Sequence, residues 1–221
     1  MSNYPIVALA SGRGSNVQAL IDAQSAGKLP VELRAILSDK PDCLALARAQ
    51  KAGIVSIALK SVDYADRAQF DRALFERAAD FAPKLIVLAG YMRIIDDAIV
   101  DAWRGRLINI HPSLLPKYPG LHTHQRAIDA GDAMHGASVH FVTAQLDGGP
   151  VIARVTLPIR HDDSAATLAA RLLPLEHKLL LATIHLLTQE TIAIEHGRVT
   201  CKGVALSAPL LLDENSRLNP G

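Results

Sequence analysis

The fold of this chain is constrained most by the order in which short apolar runs alternate with segments of helix-spaced apolar residues. Apolar runs predict strands at residues 6–10, 31–38, 54–59, 85–88 and 106–110, and helical spacing predicts intervening helices at 17–27, 43–52, 66–79 and 96–103. Alternation of this kind indicates a parallel sheet with right-handed crossovers. Residues 137–143 and 151–157 then predict an antiparallel hairpin. The predicted fold class is α/β: a Rossmann-like parallel sheet in the N-terminal half, extended by the hairpin into a mixed sheet, with helices on both faces.

The C-terminal part predicts a long helix to residue 188, started by Asp163 or Ser164, in which Pro174 is expected to cause a kink or a restart. A small hairpin is expected around Gly197, and residues 206–221 are expected to form a loose tail. No repeat or linker interrupts the sequence. We therefore expect one domain, with an N-terminal half at about 1–105 and a C-terminal half at about 106–205.

Composition excludes several classes of partner. The 23 basic and 22 acidic residues give a net charge of +1, which argues against binding to nucleic acid or to an anionic membrane surface. The N-terminus has no basic region, and its apolar run is too short for a signal peptide or a membrane span. Cys43 and Cys201 lie far apart without zinc-like spacing, so we expect reduced thiols in a cytoplasmic protein.

A glycine-bearing turn follows the first predicted strand and precedes a helix. Its residues, Ser11-Gly12-Arg13-Gly14-Ser15-Asn16, expose backbone N–H groups at a helix N-terminus, which favours an anion. The pattern does not continue as Gly-x-Gly-x-x-Gly and lacks the Gly-Lys-Ser/Thr of a P-loop, so a single phosphate group is favoured over a dinucleotide or triphosphate. An ordinary tight turn is the alternative.

Two polar residues end the strand at residues 106–110. Asn109 and His111 point to the same side of a strand, and Pro112 ends the pairing. One residue carries a neutral amide, whereas the other can change charge near neutral pH. Polar groups at the carboxyl end of a strand suit a reaction centre in an open α/β sheet. The alternative is that both merely end the strand.

The segment from Pro112 to His124 contains three prolines and a glycine, which predicts an irregular loop of the kind that is often functional. His111, His122 and His124 raise the possibility of zinc, but no cysteine lies near and the loop is stiffened by proline, so no metal is expected. Further along, Asp147 falls in a turn before Gly148 and Gly149, which allows a ligand to approach closely. Simple turn chemistry is its alternative role, and His140 is expected to pack or to form a hydrogen bond internally.

Four motifs together resemble the phosphoribosylglycinamide formyltransferase family, the folate-dependent formyl-transfer enzymes of purine synthesis. They are residues 11–16, residues 89–94, Asn109-Ile110-His111-Pro112-Ser113-Leu114-Leu115-Pro116, and Leu146-Asp147-Gly148-Gly149-Pro150. The resemblance extends from Ile6 to about His185 and fits in motif order and spacing. Asn109, His111 and Asp147 alone are shared with a wider formyl-transfer superfamily, whose other members carry an extra domain.

The resemblance implies a role for each matching residue. Asn109, His111 and Asp147 would be catalytic, and Asn109 would also contact the folate. Gly14, Ser15 and Asn16 would hold the substrate phosphate. Glu176 and the residue at position 173, here Leu173, would contact the glycinamide part of the substrate. The folate site would comprise Arg67, Met92, Arg93, Ile94, Ile95, Thr143, Ala144, Gln145, Leu146 and Asp147. Leu173 departs from the family pattern, which usually has a glutamine there.

The implied reaction moves the formyl group of 10-formyltetrahydrofolate, as co-substrate, to the amine of phosphoribosylglycinamide without a metal. Asn109 and a protonated His111 would donate to the developing oxyanion, and Asp147 would raise the His111 pKa. Another formyltransferase or hydrolase of the superfamily, or a non-catalytic nucleotide-binding module, is the alternative. The partners expected are small molecules only, and the chain is expected to be a monomer or a homodimer.

Overall fold

The computed structural model describes residues 4–189 and 191–221, so the expectation about the N-terminus partly concerns residues 1–3, which lie outside the described residues. The chain divides into two compact units, the first ending at Asn109 and the second running from Ile110 to Gly221. Within the described part, no helix has the length and apolar character needed to cross a membrane.

The first unit is a parallel sheet with its connecting helices. Its described strands are β1 Tyr4–Leu9, β2 Val31–Ser38, β3 Val55–Ala58, β4 Leu85–Leu88 and β5 Leu107–His111, which extends into the second unit; they lie in the order β5-β4-β1-β2-β3. The helices are α1 Ser15–Ser25, α2 Leu44–Lys51, α3 Arg67–Ala79 and α4 Asp97–Ala102, with a short 3-10 helix at Ser61–Asp63. Residues 6–10 are fully buried, so both faces of β1 are covered, as a continuous apolar run predicts.

Helix boundaries in the first unit follow from local sequence. The Asp66 side chain accepts a hydrogen bond from Gln69 N–H and begins α3, which buries Phe70, Leu74 and Phe75. Asp96 begins α4 in the same manner, by accepting from Ala98 N–H. These caps satisfy donors that would otherwise lack partners at a helix N-terminus.

The second unit contains a mixed group of strands and one long helix. Its described elements after β5 are α5 Thr123–Asp129, β6 Met134–Phe141, β7 Val151–Pro158, α6 Ala165–Thr188, β8 Ile192–Glu195, β9 Arg198–Cys201, β10 Val204–Ala205, β11 Leu210–Leu212 and β12 Leu218–Asn219. Strands β6 and β7 form the predicted antiparallel hairpin, β8, β9 and β10 form a small antiparallel sheet, and α6 packs on β6 and β7. The predicted class, α/β with a mostly parallel sheet extended by antiparallel strands, is confirmed.

The prediction of a loose tail is wrong, and of the two outcomes expected at Pro174 the restart is excluded. The tail is not loose throughout, because β11 pairs in parallel with β7, and β12 pairs antiparallel with β11. Helix α6 does not restart at Pro174 but runs as one element of 24 residues. Proline removes the N–H that would bond the carbonyl of Ala170, but both residues are exposed, so water can satisfy that carbonyl.

Candidate active site

The end of β5 carries the two residues that the sequence singled out. The strand runs to His111, and Asn109 and His111 lie on one side of it because they are two residues apart. His111 is buried, whereas Asn109 is half-buried. A strand with buried neighbours at Ile108 and Ile110 holds both polar side chains in fixed directions.

The turn between β6 and β7 carries Asp147. Asp147 itself has a positive φ of 48°, which aspartate tolerates better than most side chains, and its carboxylate Oδ2 accepts a hydrogen bond from Gly120 N–H at 2.8 Å. Gly149 has no room for a side chain, since a Cβ there would lie 1.8 Å from the carbonyl oxygen of Phe141. The glycine therefore lets the turn close tightly enough to bury Asp147.

Asp147 lies between two histidines in the second unit. His111 Nδ1 is 3.4 Å from Asp147 Oδ2, and His140 Nε2 is 3.7 Å from Asp147 Oδ1, with all three side chains more than nine-tenths buried. The other nitrogen of each ring faces a backbone carbonyl: His111 Nε2 donates to Tyr118 O and His140 Nδ1 donates to Phe141 O, both at 2.9 Å. The two carbonyls fix the tautomers, because a carbonyl can only accept.

In this arrangement His111 Nδ1 can bind one more proton. A neutral His111 uses its proton on Tyr118 O, so its Nδ1 presents a lone pair to the Asp147 carboxylate. The separation of 3.4 Å exceeds an ordinary N–H···O hydrogen bond, as expected when no proton lies between the two atoms. His111, Asp147 and His140 thus form a buried group that is arranged to take up a proton, and we call it the His–Asp–His group.

The electrostatics of the group contradict one prediction. Burial lowers the pKa of His111 below its ordinary value and outweighs Tyr118 O and Asp147, both of which act to raise it. The prediction that Asp147 keeps His111 protonated is therefore wrong as to the net effect, although the sign of the Asp147 contribution is right. Burial also acts to raise the pKa of Asp147, but His140, the N–H of Gly120 and His111 together hold it below its ordinary value. Asp147 is therefore ionised at neutral pH.

His140 is the residue that sequence reasoning missed. The prediction that it packs or forms a hydrogen bond internally is confirmed, but its position beside the Asp147 carboxylate is not part of that prediction. The available signal was the alternation along β6, which directs Ser138 and His140 to one side of the strand. An imidazole on a buried face needs partners for both nitrogens, and the nearest acid in sequence was Asp147.

Helix α6 carries the two residues proposed for the glycinamide. Glu176 is buried and Leu173 is half-buried. Because α6 is continuous, positions three apart lie on one side of it, so Leu173 and Glu176 are neighbours on the helix surface. Residue 173 thus places an apolar side chain beside Glu176.

The turn after β1 has the features of an anion site. Gly14 adopts a φ of +69° and has no space for a side chain, since a Cβ would lie 2.6 Å from Ala45 Cα. Ser15 and Asn16 then begin α1, an eleven-residue helix without a side-chain cap on its first N–H groups. Asn16 is buried, and its Oδ1 has no hydrogen-bond partner among the described residues. A buried acceptor of this kind awaits a donor from a ligand or from water.

The segment after β4 lies beside this turn in the first unit. Met92 N–H donates to Ser11 Oγ at 2.9 Å, and Ser11 N–H donates to the carbonyl of Gly90 at 3.0 Å. Asp96 N–H donates to the buried Asp71 carboxylate at 2.8 Å, which attaches the far end of the segment to α3. Residues 90–96 are therefore held at both ends.

The side chains of that segment differ in exposure. Met92 and Ile94 are 70% and 55% exposed, whereas Ile95 is only 5% exposed and packs within the unit. The Arg93 guanidinium lies 4.7 Å from the centre of the Phe70 ring, so it faces α3. Of the residues predicted for the folate site in this segment, Met92 and Ile94 offer side-chain surface, and Arg93 and Ile95 offer mainly backbone. Arg67 is exposed at the first turn of α3.

The remaining predicted folate residues lie just before Asp147, between β6 and β7. Ala144, Gln145 and Leu146 are exposed and Thr143 is half-buried, so the stretch presents a surface that ends at Asp147. Gly148 N–H donates to Gln145 O at 3.0 Å and closes the turn. For metals, the described residues contain no group of three or more His, Cys, Asp or Glu side chains placed to hold an ion, and Cys43 and Cys201 are free thiols.

Comparison with known proteins places this geometry in a family. Residues 4–184 match the formyl transferase family. The chain is 49% identical over 172 residues to phosphoribosylglycinamide formyltransferase of Escherichia coli strain K12, covering 78% of this chain and 81% of that protein. It is 37% identical to the protein of the same name from Haemophilus influenzae, covering 91% and 95% of the two chains.

Comparison with solved structures also finds a phosphoribosylglycinamide formyltransferase. The phosphoribosylglycinamide formyltransferase (purN) of Coxiella burnetii, in complex with CHES, superposes with a TM-score of 0.89 and 41% identity, covering 93% of this chain and 96% of that chain. The family match covers most of the sequence and includes both the turn after β1 and the His–Asp–His group. The chain therefore belongs to the formyl transferase family.

Proposed function

We propose that this protein transfers the formyl group of 10-formyltetrahydrofolate to the amine of phosphoribosylglycinamide, in the purine biosynthesis pathway. The observation that carries the proposal is the His–Asp–His group, with Asn109 two residues before His111 on the same side of β5. The relatives named above, which the chain covers almost completely, bear the name of this activity.

The turn after β1 fits the phosphate of the substrate. Gly14, Ser15 and Asn16 open a helix whose first N–H groups have no side-chain cap, and this is a favourable position for an anion. The buried Asn16 amide suits a hydroxyl donor of the ribose. This site would hold the substrate equally in the ground state and the transition state.

The loops fit a flat, largely apolar co-substrate. Met92, Ile94 and Leu146 each expose more than half of their side-chain surface, which is unusual for large apolar residues that serve only the core. We assign the folate contacts to residues 92–95 and 143–147, with Arg67 as the cation for a carboxylate tail. When bound, the folate supplies the activated formyl group.

The His–Asp–His group would handle the proton of the reaction. An amine that adds to a formyl carbon must lose a proton, while the formyl oxygen gains negative charge. His111 is held neutral by burial and presents the lone pair of Nδ1 to the ionised Asp147, so it can take up that proton, and the carboxylate offsets part of the cost that burial imposes on the charged ring. The charged ring is then stabilised by Asp147. The proton would next pass to the folate nitrogen as its bond to the formyl carbon breaks, so that tetrahydrofolate leaves neutral at that nitrogen and His111 returns to its neutral form.

Asn109 and His111 would stabilise the developing charge on oxygen. The Asn109 amide provides a neutral donor, and His111 Nε2–H provides a second that strengthens once the ring is charged. In the ligand-free protein this N–H is used by Tyr118 O, so the substrate oxygen must share it or replace that carbonyl. Removal of one such donor typically lowers the rate about 10²–10³-fold.

The direct test is an assay with purified protein, 10-formyltetrahydrofolate and phosphoribosylglycinamide, read as the absorbance change when the folate loses its formyl group. We expect turnover only when both substrates are present. Release of formate without the amine would instead support a hydrolase, and faster transfer to another amine would support a different formyltransferase. Binding of both substrates without formylated product would overturn the proposal in favour of a binding module.

The remaining predictions for the protein stay proposals. We propose that it acts in the cytoplasm, where the free thiols of Cys43 and Cys201 stay reduced, that it uses no metal, and that it is a monomer or a homodimer. Its partners would be the two small substrates, with neither nucleic acid nor membrane, in keeping with a net charge of +1.

A further inference from the structure

The second unit contains a cleft to which the residues proposed for the reaction contribute only Asp147. It has a volume of about 520 Å³, within the range of sites that hold small molecules. Three stretches line it: Leu115 and Pro116 of the loop after β5; Asp147–Val151 with Arg154 of β7; and Gly197–Val199 with Leu206–Pro209 near the C-terminus. Neither Asn109, His111 nor residues 143–146 contribute to its walls.

Arg154 gives the cleft a cation with spare donors. Its Nη2 donates to Leu115 O at 2.7 Å, while its Nε is buried and bonds no acceptor in the described part of the chain. No carboxylate among the described residues lies within ion-pair distance of its guanidinium, and burial alone lowers the Arg154 pKa. A half-buried guanidinium without a counter-charge is costly unless an anion reaches it.

The other charges around the cleft leave it cationic. Arg198 is exposed on the wall formed by β9 and forms no ion pair among the described residues, although Glu195 lies opposite it in the hairpin. Asp147 is the one acid among the lining residues, and its carboxylate faces Gly120 N–H and the two histidines. Ser207 adds a hydroxyl to the same cleft.

We propose that this cleft is a second ligand site, separate from the turn after β1, that binds the oxyanion group of a small molecule between Arg154 and Arg198. Guanidinium groups bind phosphate and carboxylate with two parallel hydrogen bonds, and either group supplies the charge that Arg154 lacks. The cleft is large enough for a phosphorylated or carboxylated metabolite rather than for a bare ion alone.

The test is a titration of the full chain, labelled with ¹⁵N, with inorganic phosphate in one series and acetate in another at constant ionic strength. Glycine amides report on each site separately: Gly148, Gly149 and Gly197 for the cleft, and Gly12 and Gly14 for the turn after β1. We expect saturable shifts of the first three with at least one anion, and the tighter anion identifies the ligand class. Absence of saturable shifts at these glycines in both series overturns the proposal.

Three variants decide whether the arginines are responsible. Arg198→Gln changes an exposed position and should weaken binding at the cleft about tenfold, as expected for the loss of a charged hydrogen-bond donor, while leaving Gly14 unaffected. Arg154→Met should do the same, and Arg160→Gln, an exposed arginine outside the cleft, should bind as the wild type does. If Arg154→Met fails to fold, Arg198→Gln decides alone. Equal binding by Arg198→Gln and Arg160→Gln overturns the proposal.

Discussion

At the scale of single residues, the chemistry depends on how many protons the buried side chains around Asp147 hold. His111 and His140 each use one ring nitrogen on a backbone carbonyl, and both direct the other at one carboxylate. Burial disfavours charge on His111, whereas Asp147 remains ionised. A base that is neutral at rest yet has a counter-ion in place is suited to accept a proton during the reaction.

Replacing Asn109 or His111 with alanine tests the donors directly. We expect each variant to lose turnover about 10²–10³-fold, because both groups stabilise charge that develops only in the transition state. Binding of the substrate phosphate should change little, since it depends on the turn after β1. His161→Ala, a fully exposed histidine, is the control. Turnover near that of the wild type in either variant would contradict the assignment.

Asp147→Asn tests the electrostatics. The carboxylate raises the pKa of His111 against the effect of burial, so its removal should lower that pKa further and reduce turnover. The measurement is an NMR titration of His111 in both proteins, with Asp162→Asn as the exposed control. An unchanged or higher His111 pKa in Asp147→Asn would mean that the carboxylate is not its partner.

At the scale of elements, backbone contacts decide where the site residues lie. The turn between β6 and β7 buries Asp147 only because Gly149 lets the chain pass against Phe141 O. Helix α6 carries Leu173 and Glu176 on one side because it continues through Pro174. In both elements the local backbone path fixes the direction of a side chain that we assign to the site.

Gly149→Ala should destabilise this turn. The added Cβ would lie 1.8 Å from a backbone oxygen, so β6 and β7 would have to separate, at a cost of about 1–3 kcal/mol in the free energy of unfolding. Gly12→Ala meets nothing within 4 Å and is the matched control. Chemical denaturation measures both. Equal stability of the two variants would show that the turn adjusts without strain.

Leu173→Gln restores the residue usual in the family. Residue 173 is half-buried and three positions from Glu176, so a glutamine there should reach the substrate and lower KM by about two- to tenfold, with kcat unchanged. Leu186→Gln, at another half-buried position of α6, is the control. A lower melting temperature without a change in KM would show instead that Leu173 belongs to the core.

At the scale of the whole molecule, buried histidines make stability depend on pH. His124 Nδ1 lies 3.0 Å from His135 Nε2. Burial, with the neighbouring histidines, lowers the His135 pKa to about 4. Burial also lowers the pKa of His124 and of His111. Between pH 6.5 and about 4 the unfolded chain therefore binds more protons than the folded protein, and the folded state loses stability as the pH falls.

We expect the free energy of unfolding to be highest above pH 6.5 and to decrease below it, with His135 contributing at most about 3 kcal/mol. Denaturation at pH 5 and pH 7 measures the decrease. His135→Gln should make it smaller, and the exposed His161→Gln should leave it unchanged. A decrease of the same size in both variants would assign the effect to other groups.

The sequence by itself determined the local elements of this protein. The apolar runs placed β1, β2 and β4 within a residue or two. In β1 and β4 the run is continuous because the strand is covered on both faces. Asn109, His111 and Asp147 were identified from short motifs, and the side of β5 that carries the first two follows from the two-residue repeat of a strand. Helix starts near Asp66, Asp96 and Ser164 were also local features, because each of these side chains accepts a hydrogen bond from a backbone N–H in the first turn of its helix.

Only the tertiary structure decided what depends on contacts between distant parts of the chain. The partnership of His140 with Asp147 arises from the hairpin geometry, and the lowered pKa of His111 from burial, which a motif does not encode. The pairing of β11 with β7 joins residues more than 50 positions apart, and it converts an expected tail into a wall of the cleft at Arg154. Local sequence fixes the backbone preference and the direction of each side chain. Burial and neighbouring groups arise only in the folded chain, and they set the charge of its titratable side chains.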